Sequence, residues 1–235
     1  MNAENNIGST IKQLRKKHGL SAKQLCEGLC PPSKLSKIEA GNEYPKEMLL
    51  NALMERMGEL PPIKCIPLTD FDYKQAATKK QLREKFNNND FDIAEQLQVL
   101  KNDEKKMTNL ERQEYLYFQA VYFNYRQQFP EALAKEIEAI HITFPAFTMD
   151  CDISKHLFTI QELKLVNMIA ITLQSNGKAE IAIALLIQGE QYYYSHFMGH
   201  VVYAKYYVTF ANSLSGFLVM QDRYAEALEV SKRGI

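Results

Sequence analysis

Apolar residues recur at helical spacing through most of the chain. Ile7, Ile11 and Leu14 form one stripe, Lys12, Arg15, Lys16 and Lys17 lie on its wetter side, and Gly19 supplies a C-cap. Ser21 is a good N-cap for a second helix with Leu25 and Leu29 on its inner face. After the break at Cys30-Pro31 the pattern predicts a short third helix over residues 33–39, with Pro32 tolerated in its first turn. Leu35 and Ile38 face inward there, while Ser33, Lys34 and Lys37 face out. Ala40-Gly41-Asn42 ends that helix, and a fourth runs from about Pro45 to Met57 with Leu49, Leu50 and Leu53 inward. The stretch Pro61-Pro62-Ile63-Lys64-Cys65-Ile66-Pro67 is stiff and extended, which suits a connector. The reading is therefore a head over 1–60, a linker over 61–69 and a body over 70–235, with Thr69-Asp70 capping the body's first helix.

The body reads as helices only. An aromatic followed three residues later by Ala recurs as Phe91-x-x-Ala94, Phe129-x-x-Ala132 and Tyr224-x-x-Ala227, with a degenerate copy at Lys178-x-x-Ile181-Ala182 after the turn Asn176-Gly177. Each copy follows one amphipathic segment and opens another. The expected helix pairs are 70–87/90–101, 109–127/130–142, 155–175/178–194 and 201–220/223–234. Only 10 Gly and 8 Pro in 235 residues agree with long helices rather than a turn-rich sheet fold. The fold class expected is all-α: an N-terminal bundle followed by a right-handed solenoid of helical hairpins. The dense aromatics, such as Tyr115, Phe118, Tyr193, Tyr207 and Phe210, are expected mostly in inter-helix core.

Charge changes this picture. Lys and Arg balance Asp and Glu over the chain at 28 each, yet residues 1–46 hold eight Lys/Arg and four acids. A basic head on an acidic body points to a polyanion as the head's partner. Chemistry beyond binding has little support. Cys26 and Cys30 lack a second ligand pair, and Cys65 and Cys151 are isolated, so small thiols in a reducing compartment are expected instead of a zinc site. His196 and His200 have metalloprotease spacing, but Phe197 stands where the catalytic Glu would be. There is no Gly-rich phosphate loop and no nucleophile–base pair at a known spacing. The expectation is a non-enzyme without cofactor or metal. No apolar run approaches a membrane span, and the first residues do not read as a signal peptide, so a cytoplasmic location is expected.

The residues Ile11-x-x-Leu14-Arg15, Gly19-Leu20-Ser21, Leu25 and Leu35-Ser36-Lys37-Ile38-Glu39-x-Gly41, followed by Pro45, resemble the Cro/C1-type (XRE) helix-turn-helix family over about residues 7–58. The head departs from it in having Ala22 where a phosphate-gripping Gln is common, and in a turn that reads one residue short. The resemblance implies a lambda-repressor-like bundle whose third helix enters the major groove of double-stranded DNA. Ser33 and Lys34 are then the candidates for base edges, and Lys23, Lys37, Asn42, Tyr44 and Lys46 those for phosphates. Arg15 is expected to brace Glu39 rather than touch DNA.

The helical hairpins resemble tetratricopeptide (TPR) repeats, with a longer period than the regular ~34 residues. In register with that family, the position that grips a peptide backbone falls on Asn167 and Ser213. Neighbouring groove positions are Tyr117, Val121, Asn124, Gln174 and Asn212. An amide side chain offers donor and acceptor together, which suits an extended peptide. A Cro/C1-type head on a TPR body is similar in architecture to the RNPP group of peptide-pheromone-responsive regulators, which includes PlcR- and Rgg-like quorum sensors. That resemblance implies a homodimer on a two-fold operator, with a short signalling peptide in the groove modulating DNA binding. The alternative is a phage-type or general repressor whose repeats only dimerise or bind a protein.

Overall fold

The computed structural model describes residues 7–60, 70–197 and 199–233, and every described helix is α or a short 3-10 turn, with no strand among them. Four helices build the head: α1 (Ile7–Lys17), α2 (Ala22–Cys26), α3 (Pro32–Glu39) and α4 (Glu47–Arg56). Ser21 caps α2 in a box with Gln24, each side chain bonding the other's backbone N–H. Pro32 opens α3, where a missing N–H leaves nothing unsatisfied. Ile11, Leu25, Leu35, Ile38, Leu50 and Leu53 are fully buried in the head's core. Each such side chain contributes about 2 kcal/mol by leaving water. α1 and α3 meet closely at Gly8, where a Cβ would collide with the Ile38 carbonyl. The Pro-rich connector and the expected Thr69 cap lie outside the described residues.

The body consists of α5 (Asp70–Asn87) and α6 (Ala94–Lys101), α7 (Asn109–Tyr125) and α8 (Phe129–Thr143), α9 (Ile160–Ser175) and α10 (Ala179–Phe197), and α11 (Val201–Met220) and α12 (Tyr224–Arg233). Helices pack in consecutive pairs, and α9 also touches both α7 and α11. Lys164 near the start of α9 meets Tyr206 near the start of α11, and Gln174 meets Met220 near their ends. The first helices of successive pairs therefore run parallel, as in a solenoid.

One turn repeats. Asn89, Gln127, Gly177 and Asp222 each adopt positive φ two residues after a helix ends. The small residue five positions on is Ala94, Ala132, Ala182 and Ala227, and the last three are buried where the hairpin closes. This corrects the register of the degenerate copy by one residue: Ala179 and Ala182, not Lys178 and Ile181, occupy the anchor positions. In the corrected register Tyr117, Asn167 and Asn212 are equivalent, and Ser213 lies one residue further on.

Two boundaries differ from the periodic reading. α6 starts at Ala94 because Asp90 accepts the Asp92 N–H in a local turn, with Ile93 buried behind it. α9 starts at Ile160, not near 155, because Thr159 and Glu162 form a capping box there. The preceding segment is a loop whose rings pack on one another, Phe144 stacking on His156 at 4.0 Å and Phe158 standing edge-on to both.

Candidate nucleic-acid interface and repeat groove

The face of α3 turned away from the head's core is polar and open. Ser33 and Lys37 are exposed, and Lys37 makes no ion pair among the described residues. Lys34 is half-buried and pairs with Glu43 at 3.2 Å. Ser36 bonds back to the Pro32 carbonyl. Lys23, Asn42 and Tyr44 are exposed around this helix. Lys46, at the N-cap of α4, reaches across to Glu111 of α7 at 3.9 Å. Arg15 does not belong to that surface. Its guanidinium forks onto both oxygens of Glu39 at 2.6 and 2.8 Å and donates a third bond to the Leu20 carbonyl. The Glu39 hydrogen bonds outweigh partial burial and raise the Arg15 pKa further. The pair ties the end of α1 to the end of α3 and so fixes the angle at which α3 is presented.

In the body, α9 is enclosed by its neighbours on all but one stripe. Gln161, Lys164, Met168, Ile171 and Gln174 are its half-buried residues, recurring every three or four positions. Asn167, beside that stripe, is 5% exposed, and its Oδ1 has no hydrogen-bond partner. Gln174 donates to Met220 Sδ while its Oε1 is unpartnered. Tyr117 is half-buried on α7, and burial pushes its hydroxyl up to about 12. Val121 is buried, Asn212 is exposed and Ser213 is half-buried. Asn124 is engaged elsewhere: its amide bonds Glu136 of α8 and Thr172 of α9, each at 2.9 Å, between repeats.

A third constellation was not visible in the sequence reading. Arg56, the last residue of α4, is fully buried. It donates to the carbonyls of Leu25 and Glu27 in the head and lies 3.3 Å from Glu162 of α9. His156 Nε2 stands 3.1 Å from the same carboxylate. Burial pushes the Glu162 carboxyl up, but the His156 hydrogen bond and the Arg56 charge outweigh it and hold it at about 2. Next to it, Glu55 accepts the Ile160 N–H, the Arg56 carbonyl lies 3.2 Å from His196 Nε2, and Tyr203 donates to the Glu59 carbonyl. Gly28, at φ +69, rests so tightly on the Thr143 carbonyl that any side chain would collide. The head is thus docked on the body by buried polar contacts. Periodicity cannot find such residues, because a buried Arg and Glu read as solvated ones. The available signal was the Thr159-x-x-Glu162 capping pattern.

Residues 6–61 match the family model for a helix-turn-helix domain. The head is such a domain. No curated protein matches the sequence. Among solved structures, the chain is similar to PlcR of Bacillus thuringiensis, solved in complex with the peptide PapR7 and DNA. That likeness has 19% identity, covers 97% of this chain and 78% of PlcR, and has a TM-score of 0.55. The chain is also similar to PrgX in its complex with cCF10, at 15% identity over 96% of this chain and 84% of that one, with a TM-score of 0.37. A further likeness is to the SHP pheromone receptor Rgg2 of Streptococcus dysgalactiae, at 12% identity over 97% and 100% of the two chains, with a TM-score of 0.26. What the chain shares with PlcR is the fold, a helix-turn-helix head on a helical-repeat body.

Among the described residues no helix is long and apolar enough to cross a membrane, and no cluster of three potential metal ligands occurs.

Proposed function

We propose that the protein is a transcriptional regulator of the RNPP kind, which reads a two-fold DNA site as a homodimer and is modulated by a short peptide held in its repeat groove. The observation that carries this reading is the pairing of an exposed, braced α3 with a repeat body in a fold shared with PlcR, a protein solved with both a peptide and DNA. In this reading Ser33 and Lys34 reach base edges, and Lys23, Lys37, Asn42, Tyr44 and Lys46 hold phosphates and register. A homodimer would set two copies of α3 against major grooves one helical turn apart. In the repeat register Asn167 and Ser213 are the candidates to grip an extended peptide's backbone, with Tyr117, Val121, Gln174 and Asn212 as neighbouring groove positions; Asn167 is 5% exposed, so its amide must turn outward to do so. The peptide acts as a switch by binding two arrangements of the head unequally, since equal affinity would shift nothing.

The test is selection of operator sequences from random duplexes, followed by binding measurements with and without peptides that co-purify with the chain from its native cells. The reading expects a palindromic consensus, weaker binding in Lys37→Ala, and a change in DNA affinity on adding peptide that Asn167→Ala abolishes. Selection that returns no consensus overturns the DNA assignment. A consensus whose affinity no co-purified peptide alters overturns the peptide assignment.

A further inference from the structure

We propose that Lys80 and Arg83, on the body helix α5, form a phosphate-binding row that carries the DNA surface of the head onto duplex flanking the operator. The inference deepens the DNA-binding reading and rests on it. Charge singles out this helix. After Asp70 and Asp72, residues 73–87 carry five Lys and Arg (Lys74, Lys79, Lys80, Arg83 and Lys85) against one acid, Glu84, whereas residues 88–235 carry 13 against 18. An acidic body brought up to a duplex is repelled by it, and a basic element between the two reverses that sign. The five cations are not spread evenly around α5. At 3.6 residues per turn Lys79, Arg83 and Lys80 fall within about 100° of one another, while Lys74 and Lys85 lie on the far side. Those two are answered within the body, by Asp103 and Asp90.

The other flank of α5 stands beside the surface the head turns to DNA in that reading. Lys79 and Arg83 line the same cleft as Lys34, Tyr44 and Lys46, a space of about 970 Å³ between head and body. Lys79 Nζ lies 3.6 Å from Met48 Sδ in the first turn of α4. Three acids also line the cleft, and each is already engaged. Glu111 answers Lys46, and Glu114 lies 2.6 Å from Lys79. Glu47 sits in the first turn of α4, where it meets the positive end of that helix. Arg83 differs: it is exposed and makes no ion pair among the described residues. Lys80 is exposed as well, and its 3.8 Å contact with Glu84, between two solvated side chains, contributes little. Phosphates on one strand follow each other by about 3.4 Å along the axis, so about three base pairs carry the strand about 10 Å past the phosphate assigned to Lys46. That distance is of the order of the width of the cleft, and it brings the strand to α5. Contacts of this kind add affinity without adding to the consensus, so operator selection by itself does not reveal them.

The probes are two duplexes carrying the selected consensus, one ending at its edges and one extended by ten base pairs of arbitrary sequence on each side. Anisotropy titrations at several salt concentrations compare them on the full chain as wild type, Lys80→Gln/Arg83→Gln and Lys37→Ala. A control, Lys178→Gln/Lys232→Gln, removes the same charge from exposed positions elsewhere on the body. Both members of the α5 pair are exposed, and thermal melts check that the variant folds. The wild type should bind the extended duplex at least about tenfold more tightly at low salt. Lys80→Gln/Arg83→Gln should lower the slope of log affinity against log salt by about two for each protomer bound to the extended duplex, and leave the core duplex unchanged. A wild type that binds both duplexes equally overturns the row without recourse to any variant. So does an α5 variant that loses equally on both duplexes, or no more than the control. If Lys37→Ala still weakens both duplexes in those cases, the head keeps its DNA assignment. A chain for which selection returns no consensus overturns the row and the DNA reading together.

Discussion

Replacing Arg56 by Met takes away the guanidinium that lies 3.3 Å from a fully buried carboxylate, Glu162, and leaves that carboxylate with His156 and the Thr159 N–H. It also strips donors from the Leu25 and Glu27 carbonyls. Removing one member of a buried pair leaves the other charge out of solvent and only partly compensated, at a cost of about 3–5 kcal/mol. Glu162→Gln keeps an oxygen for the Thr159 N–H but leaves the Arg56 charge unanswered, so its cost falls in the same range of about 3–5 kcal/mol. With both charges gone, Arg56→Met/Glu162→Gln should be at least ~2 kcal/mol more stable than the two single losses added together. Urea unfolding of the four proteins at neutral pH, followed by circular dichroism, measures that difference.

The same carboxylate predicts an acid limb, in which, against burial, the His156 hydrogen bond weighs first and the Arg56 charge next. The Glu162 carboxyl is held at about 2 in the folded chain, against 4.5 for an ordinary glutamate. Its stabilisation is therefore fully present above pH 4.5 and lost as the pH falls toward 2, and it amounts to about 3 kcal/mol. Glu162→Gln should flatten the stability profile across that window. Single losses below ~1 kcal/mol that simply add would refute the claim that this contact holds head to body, and an acid limb unchanged in Glu162→Gln would refute the depressed carboxyl.

The opposite pH dependence is expected at Glu136, where burial outweighs the Thr172 and Asn124 hydrogen bonds and pushes the carboxyl up to about 7. The folded chain then keeps a proton that the unfolded chain releases, so stability falls as the pH rises from 4.5 to 7. Glu136→Gln should gain about 1–3 kcal/mol over the wild type at pH 8 and little at pH 4.5, read from melting temperatures against pH. Lys37→Ala should weaken duplex binding at every sequence and lower the slope of log affinity against log salt by about one, measured by anisotropy titrations at several ionic strengths. Arg15→Leu should destabilise the chain by about 2 kcal/mol in urea through loss of the Glu39 fork, yet leave the salt slope of DNA binding unchanged. Gly28→Ala, at positive φ against the Thr143 backbone, should cost at least ~1 kcal/mol, and limited proteolysis should show the head released from the body before either unfolds.

What was legible in the chain follows from how far each signal reaches. Ile11, Leu35 and Ile38 announced the head's core because a helix of period 3.6 must turn one stripe inward, and all three are fully buried. The helix pairs were legible through the turns, although the copy lacking an aromatic lost its register by one residue until the positive φ of Gly177 restored it. The loop before α9 is rich in apolar side chains that mimic a helix stripe and extend the periodic pattern toward residue 155, whereas Thr159 and Glu162 mark the true start. Asn124 shows the limit for the groove. Its register is that of Gln174, three residues before the turn, but only coordinates reveal that Glu136 and Thr172 occupy its amide. Arg56 shows the same limit for the junction, because no local pattern distinguishes a guanidinium in solvent from one buried against another helix.

The two capping boxes of the body carry a further lesson. Glu111 and Glu162 are each the third residue of the first helix of a repeat, and each accepts its N-cap N–H through Oε2 at 2.7 Å. In each case Oε1 is the oxygen nearest a cation of the head, Lys46 for Glu111 and Arg56 for Glu162. A cation beside a helix N-terminus is ordinarily repelled by the positive end of the helix dipole. The capping carboxylate stands between the two and reverses the sign. The head is therefore tied to the body at the N-termini of α7 and α9, one contact partly solvated and the other dry. A shift of α9 against α7 would move these two anchors unequally and tilt α3. Tyr117 on α7 and Asn167 on α9 lie further along the same two helices, so a peptide spanning them would fix the relation on which the tilt depends. Melting the dry anchor with Glu162→Gln should leave peptide affinity measurable while uncoupling it from DNA affinity; coupling that survives that substitution would place the transmission elsewhere.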